Sequence, residues 1–139
     1  MTKLSYINIF TKDIKKLSKF YMDVFGYEED KTLRTGIFRG VRTSKSFIGF
    51  NSLEAYELLG LGDHANQDGV KFLLNLEVNS KKKVDELVAK AKRRGATLIK
   101  EPYKTYYNWY QAVILDPEGN CIRINRILGG EWDVDGWKK

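Results

Sequence analysis

The sequence has few of the residues that build disulfides or histidine sites. Its 139 residues include one cysteine, Cys121, and one histidine, His64. A single cysteine excludes an internal disulfide and any metal site built from several thiolates. No run approaches the roughly 18 apolar residues that a membrane-spanning helix needs, and no signal-like apolar segment precedes Lys12 and Asp13. We therefore expect a cytoplasmic protein with no membrane partner.

The charge of the chain is unevenly distributed. Its formal net charge is +6, and basic side chains recur between residues 81 and 94, at Lys81, Lys82, Lys83, Lys90, Lys92, Arg93 and Arg94. The other positions of this stretch are largely apolar and follow a helical period. Such a pattern is typical of a helix with one solvated face. We therefore do not expect a nucleic acid as a partner.

Two segments have the periodicity of amphipathic helices, and a glycine follows each of them. Residues 13–25 place apolar side chains on one stripe before Gly26, and residues 83–94 do the same before Gly95. The two glycines are about half a chain apart, which indicates that the sequence repeats one structural plan.

Strand-like runs surround both helices in the same order. One run precedes each helix, at residues 4–10 and 71–78, and three follow it, at 36–41, 46–50 and 55–59, then at 97–101, 110–115 and 120–126. The order βαβββ therefore occurs twice. We predict a first module over residues 1–60, a turn-rich linker over 61–69, a second module over 70–127 and a C-terminal tail over 128–139.

Short motifs mark both halves of this plan. In the first half, Asp13, Phe20, Tyr21 and Gly26 follow the pattern D-x6-F-Y-x4-G, and in the second half the turn sequence DPEGN precedes the last strand. In order and spacing, these motifs over residues 4–126 resemble the vicinal oxygen chelate superfamily. That superfamily includes glyoxalase I, bleomycin-resistance proteins and extradiol dioxygenases.

The resemblance implies an α+β fold in which two tandem βαβββ modules form a curled mixed sheet. A ligand cavity lies on the concave side of such a sheet, and the helices cover the outer face. Since side chains alternate along a strand, we predict that the cavity-facing, ligand-binding residues include Tyr6, Asn8, Glu57, Asn75, Arg123 and Asn125. The resemblance also implies a homodimer.

Four metal-ligand positions are implied by the same resemblance, and this sequence fills them poorly. They hold Tyr6 or Asn8, Glu57, Leu73 or Asn75, and Arg123. Only Glu57 carries a group that binds zinc, nickel, manganese or iron well, and the guanidinium of Arg123 repels cations. We therefore expect no metal and no cofactor. As a hypothesis, an ion pair between Glu57 and Arg123 replaces the metal.

The segment 103–110, YKTYYNWY, carries five aromatic residues in eight positions. Aromatic side chains with polar tips suit flat or amphipathic organic ligands. Tyr107 and Trp109 are the predicted ligand contacts. The alternative is that most of these rings pack against the sheet or a subunit partner.

Two functions from different classes remain open. The first is a metal-independent small-molecule-binding protein, similar to glyoxalase and bleomycin-resistance proteins, whose ligand is aromatic or amphipathic. A neutral or anionic ligand suits Arg123 and the basic protein best. The second is an enzyme of the superfamily, of the lyase, isomerase or dioxygenase type, with an atypical or absent metal site. For that function the sequence assigns no catalytic residue.

Two other features lie outside the repeated modules. His64 falls in the linker between polar residues, where we expect a solvent-exposed side chain. The tail contains Trp132 and Trp137, which are large apolar side chains for a solvated chain end. We therefore predict that the tail docks on folded protein, with Trp132 as its main anchor.

Overall fold

The computed structural model describes residues 4–65, 68–70 and 72–129. The chain divides after Gly69 into two compact units. Each unit contains a four-stranded mixed sheet and a long helix against it. The α+β class and the duplicated βαβββ order predicted from the sequence are therefore confirmed.

The first unit is built around α1. Its elements are β1 (Tyr6–Thr11), α1 (Ile14–Phe25), β2 (Glu28–Glu29), β3 (Phe38–Arg42), β4 (Phe47–Ser52) and α2 (Glu54–Leu58). The strands lie in the order β1-β4-β3-β2, with β1 parallel to β4 and the other neighbours antiparallel. The first and last strands of the unit are therefore adjacent, with β1 at one edge of the sheet.

The second unit repeats this plan around α3. Its elements are β5 (Leu74–Glu77), α3 (Lys81–Arg93), β6 (Thr97–Lys104), β7 (Trp109–Leu115) and β8 (Cys121–Ile127). The strand order is β5-β8-β7-β6, again with one parallel pair, β5 and β8. Strand for strand, this topology is the same as that of the first unit.

Both ends of α1 are closed by local interactions. The Asp13 side chain accepts a hydrogen bond from the Lys16 amide at 3.0 Å, which satisfies one of the free N–H groups of the first turn. At the other end Gly26 has φ 74°, and its N–H donates to the Met22 carbonyl at 3.0 Å. The left-handed conformation favours glycine there. The predicted helix end is confirmed.

The apolar side of each helix covers one face of its own sheet. Tyr21 of α1 and Val84 of α3 are fully buried. Ser80 begins α3 by accepting a hydrogen bond from the Lys83 amide at 3.0 Å. The basic side chains of α3 are mostly exposed, so the prediction of a solvated helix face is confirmed. The sheet residues that complete the two cores are Ile9, Val41, Ile48 and Phe50, and Ala112, Ile114, Ile122 and Ile124.

Two local predictions for the first unit are wrong. Residues 55–59 were expected to form a strand, but Glu54–Leu58 is a short helix, held by the stacking of Tyr56 on Phe10 at 4.1 Å between ring centroids. The strand that completes the module is β2, Glu28–Glu29, which sequence analysis missed. In the part of the chain that the structure describes, no helix is long and apolar enough to cross a membrane.

Candidate functional site

Polar side chains gather on the face of the second sheet that points away from α3. Ile122 and Ile124 of β8 are fully buried, and alternation places Arg123 and Asn125 on the opposite face. Arg123 lies between Asn75 of β5 and Val113 of β7, and Asn125 between Glu77 and Gln111. Three of the predicted site residues, Asn75, Arg123 and Asn125, are therefore brought together.

Arg123 is held in place by an amide and an aromatic ring. Its Nε donates a hydrogen bond to Asn75 Oδ1 at 2.7 Å, and its guanidinium carbon lies 5.5 Å from the centroid of the Trp109 ring. This distance is within the range of a cation–π interaction. Among the residues that the structure describes, no carboxylate forms an ion pair with Arg123. The guanidinium therefore retains donors for an anion.

Trp109 is positioned by a tight turn between β6 and β7. Its amide donates to Thr105 Oγ1 at 3.0 Å, and its carbonyl accepts from the Thr105 amide at 2.7 Å. Asn108 has φ 65°, a conformation that asparagine tolerates better than most residues. The Tyr107 ring meets Trp109 edge to face, with 5.1 Å between centroids and 85° between planes. Trp109 therefore lies beside Arg123, and Tyr107 contacts the Trp109 ring.

Gln111 links two tyrosines under this aromatic pair. Its side chain is buried, at 4% exposure. The Tyr107 hydroxyl donates to Gln111 Oε1 at 3.2 Å, and Gln111 Nε2 donates to the Tyr103 hydroxyl at 2.9 Å. Sequence analysis missed Gln111. The available signal was its spacing from Trp109, since residues two apart on a strand share a face.

Asn125 lies in a buried polar network rather than at the surface. It is fully buried, and its Nδ2 donates to Glu77 Oε1 at 3.0 Å. Glu77 Oε2 accepts from the Ile127 amide at 2.9 Å and lies 3.9 Å from an Arg126 nitrogen. Within the described residues, no donor reaches Asn125 Oδ1. Glu77 is a second residue that sequence analysis left out of the predicted site.

In the first unit, Tyr6 and Asn8 lie on the sheet face opposite α1. Asn51 Nδ2 donates to Asn8 Oδ1 at 2.9 Å, and Tyr6 stacks on Phe47 at 5.1 Å between ring centroids. Asn8 is paired with Gly49 in the sheet. A Cβ at position 49 would collide with the Asn8 side chain, so the amide pair depends on this glycine.

The prediction for Glu57 requires correction. Glu57 is exposed on α2 and not on a strand, and its carboxylate folds over Gly62, where a Cβ would lie 2.8 Å from Glu57 Cδ. The basis for an ion pair between Glu57 and Arg123 is therefore removed. Glu57 lies between apolar neighbours, as a polar residue in an amphipathic strand does. A segment of five residues is too short for this pattern to distinguish a strand from a helix.

Sheet register identifies the position in the first unit that corresponds to Arg123. Asn8 and Asn75 each lie six residues before the start of a helix. Asn8 pairs with Gly49 as Asn75 pairs with Arg123. Gly49, rather than Glu57, therefore occupies the corresponding position on the last strand of the first module.

The residues at the implied ligand positions do not fit a divalent metal. After the correction, the positions hold Tyr6 or Asn8, Gly49, Leu73 or Asn75, and Arg123. None of these side chains supplies an imidazole, thiolate or carboxylate. In the described ranges, no group of three histidine, cysteine or acidic residues has the geometry of a metal site.

Burial raises the pKa of the Cys121 thiol, an effect that Arg123 partly opposes.

The remaining predicted features are settled only in part. His64 ends a short 3-10 helix and is exposed, as expected. The DPEGN sequence forms the predicted turn: the Gly119 amide donates to the Asp116 carbonyl at 3.0 Å, and Gly119 has φ 88°. The predicted docking of Trp132 and Trp137 lies outside the described residues.

Comparisons with known proteins agree with this architecture. The model of the Glyoxalase/Bleomycin resistance protein/Dioxygenase superfamily matches residues 3–124. A crystal structure of a glyoxalase/bleomycin resistance protein/dioxygenase family enzyme from Burkholderia phytofirmans PsJN is 57% identical. The match covers 91% of this chain and 100% of that one, with a TM-score of 0.89. No curated protein matches the chain.

Two more distant structures show the same fold. A hypothetical protein from S. aureus is 20% identical with a TM-score of 0.77, and the match covers 91% of this chain and 94% of that one. Lactoylglutathione lyase from Agrobacterium tumefaciens is 16% identical with a TM-score of 0.68, at the same coverages of 91% and 94%.

Proposed function

Because the chain belongs to the Glyoxalase/Bleomycin resistance protein/Dioxygenase superfamily, we propose that it is a small-molecule-binding member of that family. Its ligand is an aromatic compound with an anionic group. The binding surface is the face of the second sheet opposite α3, where Arg123 receives the anion and Trp109 and Tyr107 contact the ring. Binding does not require a metal ion.

The observation that supports this proposal is the state of Arg123. Its guanidinium is oriented by Asn75 and Trp109 but has no carboxylate partner among the described residues. Arginine donors match the geometry of a carboxylate, and the pair is stronger than a neutral hydrogen bond. An aromatic acid provides both the charge for Arg123 and a flat surface for the neighbouring rings. Neutral ligands would use only the second interaction.

Isothermal titration calorimetry with 2-naphthoate and its neutral analogue 2-naphthamide tests the proposal. We expect 2-naphthoate to bind more tightly, and Arg123→Gln to weaken its binding by about ten- to hundredfold, which is the contribution of a charged hydrogen bond. Arg93→Gln is the matched control, because it removes the same charge from an exposed position on α3. Equal binding of acid and amide, or equal losses in the two variants, would contradict the proposal.

Metal independence has its own test. Elemental analysis of protein purified without chelator should find no stoichiometric zinc, nickel, manganese or iron, and 2-naphthoate affinity should not change after dialysis against EDTA. The physical reason is the donor set. Tyr6 or Asn8, Gly49, Leu73 or Asn75, and Arg123 offer no imidazole, thiolate or carboxylate ligand. One metal ion per chain, lost with the binding activity, would overturn this part.

An enzymatic function is the second candidate. It is favoured by the 57% identical structure from Burkholderia phytofirmans, which is described as a family enzyme. Chromatography of the ligand after incubation with protein separates the candidates, because a binding protein returns the ligand unchanged. We also propose a cytoplasmic homodimer, for which light scattering should give twice the 16.1 kDa chain mass.

A further inference from the structure

Gln111 fixes the hydrogen-bonding direction of the Tyr107 hydroxyl. A phenol has one hydrogen to donate, and that of Tyr107 is directed at Gln111 Oε1, 3.2 Å away. In this arrangement Gln111 Nε2 donates at 2.9 Å to the Tyr103 hydroxyl, and Oε1 is the amide end that is directed at Tyr107. With its hydrogen used inside the protein, the Tyr107 hydroxyl can only accept a hydrogen bond from outside.

This acceptor lies beside the proposed ligand contacts. Tyr107 is 39% exposed, so part of the residue is accessible to a ligand. Its ring is in edge-to-face contact with Trp109, whose own ring lies under the Arg123 guanidinium. A ligand whose carboxylate binds Arg123 and whose ring contacts Trp109 therefore extends toward an acceptor. A hydroxyl or amino group on such a ring would find a partner there.

We propose that Gln111 makes the site selective for aromatic acids that carry a hydrogen-bond donor on the ring, such as hydroxyl- or amino-substituted aryl carboxylates. Gln111 acts as a positioning residue: it does not contact the ligand, but it sets the acceptor character of Tyr107. The inference rests on the proposed function, since it assigns the ligand class of the same surface.

The reverse orientation of the Gln111 amide would give the opposite selectivity. Nε2 would then donate to the Tyr107 hydroxyl, and Tyr107 would keep its hydrogen for the ligand. Ligands with a ring acceptor and no donor would be preferred. Ligand preference therefore reports the direction of the hydrogen bonds at Gln111 and not merely the presence of a folded site.

The test compares matched ligands by calorimetry. For each ring position of 2-naphthoate, the hydroxyl derivative is compared with the fluoro derivative, which cannot donate. We expect at least one hydroxyl isomer to bind about five- to tenfold more tightly than its fluoro counterpart, as one hydrogen bond provides. Tyr107→Phe removes the acceptor at an exposed position and should abolish this ratio.

Gln111→Met provides the second variant. It keeps the length of the side chain without its amide, so the Tyr107 hydroxyl can donate as well as accept, and the ratio should fall without disappearing. A ratio near one for every isomer in the native protein would overturn the inference, as would a ratio that survives in both variants. Binding of 2-naphthoate in those cases leaves the proposed function standing. Failure of every naphthoate to bind would overturn both.

Discussion

The two units have the same topology but carry different kinds of side chain at corresponding positions. Asn8 and Asn75 hold the same place relative to the helix that follows. Across the sheet, Asn8 faces Gly49, whereas Asn75 faces Arg123. One unit therefore has its smallest residue where the other has a cation. The duplicated fold provides the scaffold, and the second unit alone provides charge at this position.

Two residues further along the same paired strands, the two units again differ in that only the second unit carries a charged side chain. Phe10 faces Asn51 in the first unit, and Glu77 faces Asn125 in the second. Asn51 makes its bond to another amide, at a partly exposed place, while Asn125 is fully buried and bonds to a carboxylate. The same residue type therefore supports a surface pair in one unit and a buried network in the other. We therefore expect residues at equivalent positions of the two units to differ in their contribution to stability.

Replacing these two asparagines tests that difference and should give the largest effect on stability. Asn125→Ala removes a donor from a partly buried carboxylate and should lower the free energy of unfolding by about 2–3 kcal/mol. Asn51→Ala breaks a neutral, solvent-accessible bond and should cost about 0.5 kcal/mol. Urea titration followed by circular dichroism measures both. Equal losses would show that burial does not distinguish the two positions.

The glycine in the first unit gives a smaller expected effect. A Cβ at position 49 would meet the Asn8 side chain and lie 2.8 Å from Phe38 Cε1. Gly49→Ala should therefore destabilise the protein by about 1–2 kcal/mol, because one of these side chains must move. Gly36→Ala is the control, since its Cβ would have no neighbour within 4 Å. A melting temperature unchanged by Gly49→Ala would remove the steric explanation for this glycine.

The smallest expected effect is on the stability of the protein at acidic pH, and it involves a carboxylate of the first unit. A hydrogen bond from Arg34 is the main cause that lowers the pKa of Glu29, although burial opposes it. The folded pKa then lies below the unfolded value of about 4.3. The ionised carboxylate therefore stabilises the fold above that value, and this contribution is lost as the pH falls through the folded pKa.

Glu29→Gln should accordingly flatten the fall in urea midpoint below about pH 4.3. The carboxylate receives two hydrogen bonds from Arg34, at 2.8 and 2.6 Å. Arg34→Gln should flatten the same part of the profile, because it removes the donor. An unchanged acid profile in both variants would show that this ion pair does not contribute.

Long amphipathic segments made most of the fold predictable from the sequence. The helix 13–25 was recognised by its period and its terminal glycine, and it matches α1 closely. By contrast, β2 is two glutamates, Glu28 and Glu29, and has no apolar pattern. It is defined instead by pairing with Val41 and Arg42 of β3. Such a strand depends on tertiary contacts that a local sequence window does not contain.

The site residues were predictable from the sequence where alternation along a single strand decides which face of the sheet a side chain occupies. Alternation on β8 correctly placed Arg123 and Asn125 on one face. It did not show that Asn125 would be buried or that Gln111 would link two tyrosines. Those facts depend on which strands are neighbours and on their register, which pairs β7 with β6 and β8. The strand predicted at residues 55–59 was wrong, and the inward orientation assigned to Glu57 depended on that strand.

The most direct test of the proposed ligand site is an NMR titration of the Trp109 indole N–H. The protein has three tryptophans, and Trp109→Phe assigns the signal. Addition of 2-naphthoate should shift the Trp109 resonance in a saturable way, because the aromatic ring of the ligand lies beside the indole and its ring current changes the chemical shift. Arg123→Gln should abolish saturation over the same concentration range. A Trp109 signal that does not move, or that moves equally in Arg123→Gln, would contradict an aromatic anion site at Arg123 and Trp109.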